Sequence, residues 1–245
     1  MKKIVLLLFV LVSFSAFSQS YLSNARVKNA YNEKKDFLKE ILAEKGINSF
    51  NINILIIGLK AEKELQVWVK HKDSTIYEYL ITYDFCRLSG DLGLKRVSAD
   101  GQVPEGFYYI NCFNPYSSFI VSLGVNYPNK SDLILGDKDN PGSDIYIHGG
   151  CATIGCIPIT DDKIKELYIL AVMAKEVGQS KIPIYLFPTA LSDENFKKLS
   201  SNSRYLKNIK FWQNLKQGYD IFVNNKKELK FSINSEGEYV FSNVN

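Results

Sequence analysis

The sequence predicts an α+β protein with a β-rich centre, flanking helices, and a C-terminal helix followed by a hairpin. Three observations carry this expectation. Alternating or continuous apolar segments of strand length recur between residues 52 and 187. Stripes of apolar residues at spacings of three and four occur near both ends, over Ser23–Lys45 and Lys207–Val223. Glycine and proline punctuate the segments between them.

In chain order, Met1–Ser18 has the layout of a secretory signal peptide. Lys2 and Lys3 precede an apolar run from Ile4 to Phe14, too short to span a bilayer comfortably, and Ala16-Phe17-Ser18 offers small residues for cleavage before Gln19. The expected protein is therefore exported to the periplasm or cell envelope, with no stable membrane insertion after cleavage. Residues 19–50 form an N-terminal helical segment in which Ala25, Val27, Ala30, Tyr31, Phe37, Leu38, Ile41 and Leu42 mark the apolar face and Gly46 the stop. Ile52–Leu59 reads as a strand; Leu65–Val69 and Ile76–Tyr83 read as a hairpin. Ser89–Gly106 is a glycine-rich loop. Phe107–Cys112 and Ser118–Val125 read as strands, and Leu133–Ser143 as a mobile loop that could act as a lid.

Ile145 and Ile147 mark a short strand, and Thr160-Asp161-Asp162 a helix start, with the threonine hydroxyl as cap and the acids at the positive end of the dipole. That helix runs to Val177, burying Ile164, Leu167, Tyr168, Ala171 and Val172. Lys181–Phe187 is a further strand. In the C-terminal part, Ser192 caps a short helix, Lys207–Val223 is amphipathic, and Glu228–Ile233 with Glu238–Phe241 forms a hairpin. These divisions give a central domain over 51–190 and an extension over 191–245.

The formal charge of +4, two units of it in Lys2 and Lys3, is too mild to point to nucleic acid. The 15 Tyr and 15 Phe suit strands and a core, or a carbohydrate-facing groove. One of two histidines and two of four cysteines fall within residues 148–156: His148, Cys151 and Cys156, among Gly149, Gly150 and Gly155. A thiol near an imidazole is a nucleophile with its base. Glycine-rich backbone ahead of a helix offers N–H groups to an oxyanion, here Gly155 and Cys156. Cys156 is expected to be free. Cys86 and Cys112 either pair or remain buried thiols, and Cys151 is a packing residue, a resolving thiol or a second contact in the site. A zinc site on His148, Cys151 and Cys156, completed by Asp161 or Asp162, is an alternative with suitable ligand types. A catalytically dead wall-binding module is another. His71, at a turn, reads as an exposed histidine.

Ile147-His148-Gly149 followed by Thr153-Ile154-Gly155-Cys156 resembles the active-site signature of the L,D-transpeptidase (YkuD-type) family. The short spacing, with Cys156-Ile157-Pro158-Ile159-Thr160-Asp161, is similar to the YafK-like branch, as are Asp100–Gly106, Tyr127-Pro128-Asn129 and Phe211–Lys216. The resemblance spans about Asn51–Pro188. It departs from the commoner form, in which Arg or Asn closely follows the cysteine. It implies a β-rich catalytic domain of mixed sheets or a β-sandwich, acting on peptidoglycan stem peptides without a cofactor. Cys156 would be the nucleophile and His148 the general base. Gly149, Gly150 and Thr153 would be substrate contacts. Tyr127 and Asn129 would either line the groove or order their loop. Lys95 and Arg96, with Arg87, would either hold a stem carboxylate or be solvated at the surface. The Asp100–Gly106 loop would border the groove or be a turn without chemistry. An acyl-enzyme passed to an amine gives transpeptidation. Passed to water, it releases an attached peptide or a cell-wall-attached protein.

Overall fold

The computed structural model describes residues 20–242; the expected signal peptide lies outside the described residues. In chain order the elements are helix α1 (Ala25–Ala43), strands β1 (Ile52–Leu59), β2 (Glu64–His71), β3 (Glu78–Asp84), β4 (Gly106–Asn114) and β5 (Ser122–Val125), helix α2 (Lys130–Leu135), strands β6 (Tyr146–His148) and β7 (Ile157–Pro158), helix α3 (Asp161–Glu176), strand β8 (Pro183–Phe187), helices α4 (Asp193–Ser200) and α5 (Ile209–Asn225), and strands β9 (Phe231–Ile233) and β10 (Tyr239–Phe241). None of the described helices is long and apolar enough to cross a membrane.

Eight strands form one mixed sheet in the order β3-β2-β1-β8-β4-β5-β6-β7. The β1–β8 and β6–β7 pairs are parallel and the others antiparallel. Strand β4 serves both halves. Gly106–Tyr109 pairs with β8, and Ile110–Asn114 pairs with β5 after a register shift between Ile110 and Cys112. Such an irregularity bends a strand, so the β5-β6-β7 half, which carries the candidate catalytic turn, departs from the larger half.

The period of two in β1 distributes its side chains to two cores. Ile52, Ile54 and Ile56 pack with Leu65, Val67, Val69, Ile184 and Leu186 under α1 and α3. Leu55, Ile57 and Leu59 face Phe107, Tyr185, Phe187, Trp212, Leu215 and Phe222 on the other side. Residues 191–242 thus contribute the cover of the sheet's second face through α5 and the β9–β10 hairpin. Helix α3 is buried beyond the expected stripe: Ile169, Leu170 and Ala174 are also enclosed. The reason is α1, which lies along α3 and ties to it through Lys34 with Asp162 and Glu166, and through Lys165 with Glu33. A helix covered on both sides is apolar nearly all round.

Three local expectations are corrected. Residues 133–135, the start of the expected Leu133–Ser143 lid, belong instead to helix α2, where Asn129 and Asp132 make a reciprocal capping box over the first turn. Asp137 then pins the following turn, its carboxylate accepting from the Asp139 and Asn140 amides. Strand β5 begins only at Ser122, leaving residues 117–120 as an irregular wall. Thr160 makes no side-chain cap; its φ of 72° places it in the left-handed region.

Candidate active site

The catalytic turn joins β6 to β7 and returns beside its own start, because these strands are parallel neighbours with Ile147 opposite Ile157 and His148 opposite Pro158. His148 ends β6 and Cys156 immediately precedes β7. Both line a cleft of about 340 Å3 with Asn114, Tyr116, Ser117, Ser118, Phe119, Ser122 and Tyr146.

His148 is 4% exposed. Its Nδ1 lies 2.5 Å from the Gly149 carbonyl, and its ring stacks on Phe119 at 4.5 Å between centroids. A carbonyl only accepts, so Nδ1 carries a proton, and in the neutral ring the lone pair is on Nε2. Cys156 is half-buried, with the Tyr146 amide donating to Sγ at 3.4 Å and Sγ 3.5 Å from the Asp144 carbonyl. Burial pushes its thiol pKa up; the Tyr146 amide opposes this, the Asp144 carboxylate adds to it, and Lys95 opposes it at longer range. The resting sulfur is therefore a thiol near neutral pH, and attack requires a base.

The turn is braced from several sides. Asp161, the first residue of α3, accepts the Gly150 amide at 2.7 Å. The Phe119 carbonyl accepts the Gly149 amide at 3.3 Å. A Cβ on Gly149 would collide with both the Asp161 carboxylate and the Phe119 carbonyl, so only glycine fits there. Cys86 and Cys151 form a disulfide with their Cα atoms 5.5 Å apart, while Cys112 and Cys156 are free. This corrects the Cys86–Cys112 alternative and assigns Cys151 a structural bond. It also removes Cys151 from the zinc alternative. Cys86 is brought to the turn by its own amide, which donates to the Pro158 carbonyl at 3.0 Å.

Several expected contacts have other occupations. The Gly155 amide donates to Thr153 Oγ1 at 3.2 Å, and that hydroxyl donates to the Cys156 carbonyl at 2.7 Å. Thr153 therefore braces the turn and occupies the Gly155 donor. The Cys156 amide has no protein acceptor among the described residues, which leaves it as the oxyanion candidate. Gly155 itself has a φ of 129° and sits against the Gln102 carbonyl, so the 100–106 loop packs on the turn, while none of its residues lines the His148–Cys156 cleft.

Asn129 is buried, its side chain capping α2 and donating to the Phe107 carbonyl and Tyr239 hydroxyl. Tyr127 donates its hydroxyl to the Pro141 carbonyl at 2.8 Å. Lys95 is enclosed and paired with Asp100 at 2.7 Å. The Arg96 guanidinium lies 5.4 Å over Phe211 and lines a different cavity. None of these four lines the His148–Cys156 cleft. Glu105 is also interior, where it joins Lys60 and Trp212.

The sequence reading missed Phe119, Tyr146 and the bond to Cys86. Phe119 had no local signal, since its role depends on a non-sequential approach to His148. Asp161 reads from sequence as a helix-start acid or an alternative zinc ligand; its contact with Gly150 requires the folded turn.

Residues 54–184 match the sequence profile of the YkuD family, the L,D-transpeptidase catalytic domain. Over 185 residues the chain is 32% identical to YafK of Escherichia coli (strain K12), a protein provisionally named an L,D-transpeptidase, covering 75% of this chain and 71% of that one. Among solved structures, the helical cell shape determining protein Pgp2 from Campylobacter jejuni is 21% identical, with a TM-score of 0.44 over 81% of this chain and 80% of that one. Bd1075 of Bdellovibrio bacteriovorus is 18% identical, with a TM-score of 0.39 over 74% of each chain.

Proposed function

The chain belongs to the YkuD family of L,D-transpeptidase catalytic domains, and from that premise we propose an exported enzyme that forms a thioester between Cys156 and a peptidoglycan stem peptide. The observation that carries the reading is the shared cleft: a half-buried thiol faces the same space as an imidazole whose Nδ1 is held by a carbonyl.

In this reaction His148 Nε2 takes the Cys156 proton as sulfur attacks the carbonyl of the stem's diamino acid. A C–S bond forms and the carbonyl oxygen becomes an oxyanion, which the Cys156 amide stabilises. The intermediate collapses with loss of the C–N bond, and His148 returns its proton to the leaving amine. An incoming amine or water then attacks the thioester. His148 takes the incoming proton and returns it to the departing sulfur. An amine acceptor yields a new peptide bond; water yields release of the attached peptide or protein. Gly149 and Gly150 serve the turn itself in this reading, since a Cβ on either would run into Asp161 or Phe119.

The test incubates the protein from Gln19 onward with isolated peptidoglycan carrying its native attachments and follows products by mass spectrometry. Cys156→Ala and His148→Ala are the controls. New crosslinks or exchanged terminal D-amino acids, absent from both controls, establish transpeptidation. Released peptides or proteins without new bonds establish hydrolysis. The absence of any Cys156-dependent product overturns the enzyme reading in favour of a wall-binding module.

A further inference from the structure

We propose that the groove between α1 and the 117–120 wall is a carboxylate-binding subsite for the substrate segment beyond the attacked bond, with Arg26 as its anchor. The inference rests on the proposed function, since it takes the Cys156 cleft as the place where the acyl group forms.

The first observation is a shared wall. Ser117 and Ser118 line the His148–Cys156 cleft and also line a second depression of about 390 Å3. The far side of that depression is α1, through Arg26, Asn29, Ala30 and Glu33, with Ile120 and Lys165 completing it. Helix α1 precedes the family-matched residues 54–184. A substrate crossing the serine wall from Cys156 therefore meets a surface that the catalytic domain does not itself supply.

The second observation is the state of the charges there. Lys165 is neutralised by Glu33 at 2.5 Å. Arg26 is exposed and has no acidic partner among the described residues. One of its N–H groups donates to the Ser117 carbonyl at 3.2 Å, which holds the guanidinium at the shared wall. Its remaining donors form a planar fork suited to a carboxylate. The groove is also built, because the ion pairs of Lys34 and Lys165 hold α1 against α3.

The third observation ties the groove to the base. The same wall continues into Phe119, whose ring stacks on His148 and whose carbonyl holds the Gly149 amide. A peptide segment leaving the attacked carbonyl along this wall ends in a carboxylate, the group that matches Arg26. Arg26 is thereby a residue selecting the far segment, remote from the reacting atoms.

The experiment uses the chain from Gln19 onward as Cys156→Ala, which binds without turnover. Fluorescent stem peptides carry a segment of one or three residues beyond the diamino acid, each as free acid and as C-terminal amide. The expected result is about 10-fold or greater preference for an acid over its amide, the scale of charge-assisted hydrogen bonds. Adding Arg26→Gln erases the preference and Arg26→Lys restores part of it. Preference with the one-residue segment identifies a terminal amino acid as the source, and with the three-residue segment an attached chain. Equal binding of acid and amide, whether both bind or neither does, overturns the subsite, as does a preference that survives Arg26→Gln. In parallel, mass spectrometry of the Cys156-containing protein reads the thioester adduct. Its absence refutes the proposed chemistry while the acid preference still reads the subsite independently.

Discussion

Two polar constellations lie on either side of Gln102 and follow opposite rules. In the interior, Lys60 donates to the Gly93 and Val103 carbonyls and to Glu105, at 2.9, 3.0 and 2.9 Å. Glu105 in turn accepts the Gly93 amide and the Trp212 indole N–H. All three side chains are essentially inaccessible to water. At the catalytic turn the neighbouring chain is held by the Asp161 carboxylate, Thr153 and a disulfide, yet the Cys156 amide and sulfur remain open to a cleft. Ile154, at the tip of the turn, is 85% exposed. A buried ion pair must be fully satisfied to be tolerated, whereas a catalytic group must keep bonding capacity for a substrate. The first arrangement locks the C-terminal α5 to the domain; the second is shaped by its surroundings and left incomplete at its centre.

The comparison breaks most sharply under substitutions that should move activity and stability separately. His148→Gln is expected to lower turnover by about 10²–10⁴-fold, with a melting temperature close to that of the unaltered protein. The check is product formation from peptidoglycan alongside thermal unfolding. A comparable collapse of stability would show that His148 serves mainly as a packing residue against Phe119.

Glu105→Ala reverses the pattern. It leaves the Lys60 ammonium buried without its counter-charge and removes the Trp212 acceptor, so denaturant unfolding should show a loss of about 3–5 kcal/mol. Thioester formation per folded molecule should persist. Unchanged stability would mean that water or a rearranged Lys60 compensates, and the knot would no longer explain the docking of α5.

Cys86→Ser lies between these cases. Opening a bridge across a sequence separation of 65 should lower stability by about 2–4 kcal/mol on the chain-entropy account. It should also lower turnover by loosening the turn between His148 and Cys156. Retained turnover with lowered stability would assign the disulfide to the fold alone.

The smallest expected effect is a pH dependence. Burial raises the Asp132 pKa to about 6, despite donors from the Asn129 amide and the Tyr108 hydroxyl. The folded state thus holds this proton more tightly than the unfolded chain, near the ordinary value of 3.8. Its contribution favours folding fully below that ordinary value and is lost as pH rises through about 6. The group alone accounts for a decline of about 2–3 kcal/mol between roughly pH 4 and 7. Asp132→Asn should remove that component, visible as a smaller difference between unfolding free energies measured at the two pH values. An identical difference in both proteins would place the Asp132 titration outside this window.

Much of the fold could be read locally. The run Ile52–Leu59 coincides with β1, and the three- and four-residue spacing over Ser23–Lys45 locates α1, because one apolar face of a regular element leaves a periodic trace. Helix α2 left a weaker trace: its six residues are too few for a stripe, and Asn129 reads as a groove or loop-ordering polar rather than as a helix cap. The clustering of His148 and Cys156 was equally plain, since turn residues close in sequence stay close in space. Tyr127, Asn129, Lys95 and Arg96 were not legible as interior or turned-away groups. A polar side chain has the same letter whether it faces a groove or caps a helix.

The sequence by itself determined the α+β class, the principal elements and the catalytic-turn candidates, all of which depend on residues within one element or one turn. Only the tertiary structure decided that Cys86 bonds Cys151, that Phe119 packs on His148, that Glu105 neutralises Lys60, and that α1 adjoins the cleft. Each of those pairings joins segments that periodicity treats independently. Their meeting is set by strand order and by the bend at β4, neither of which has a local sequence period.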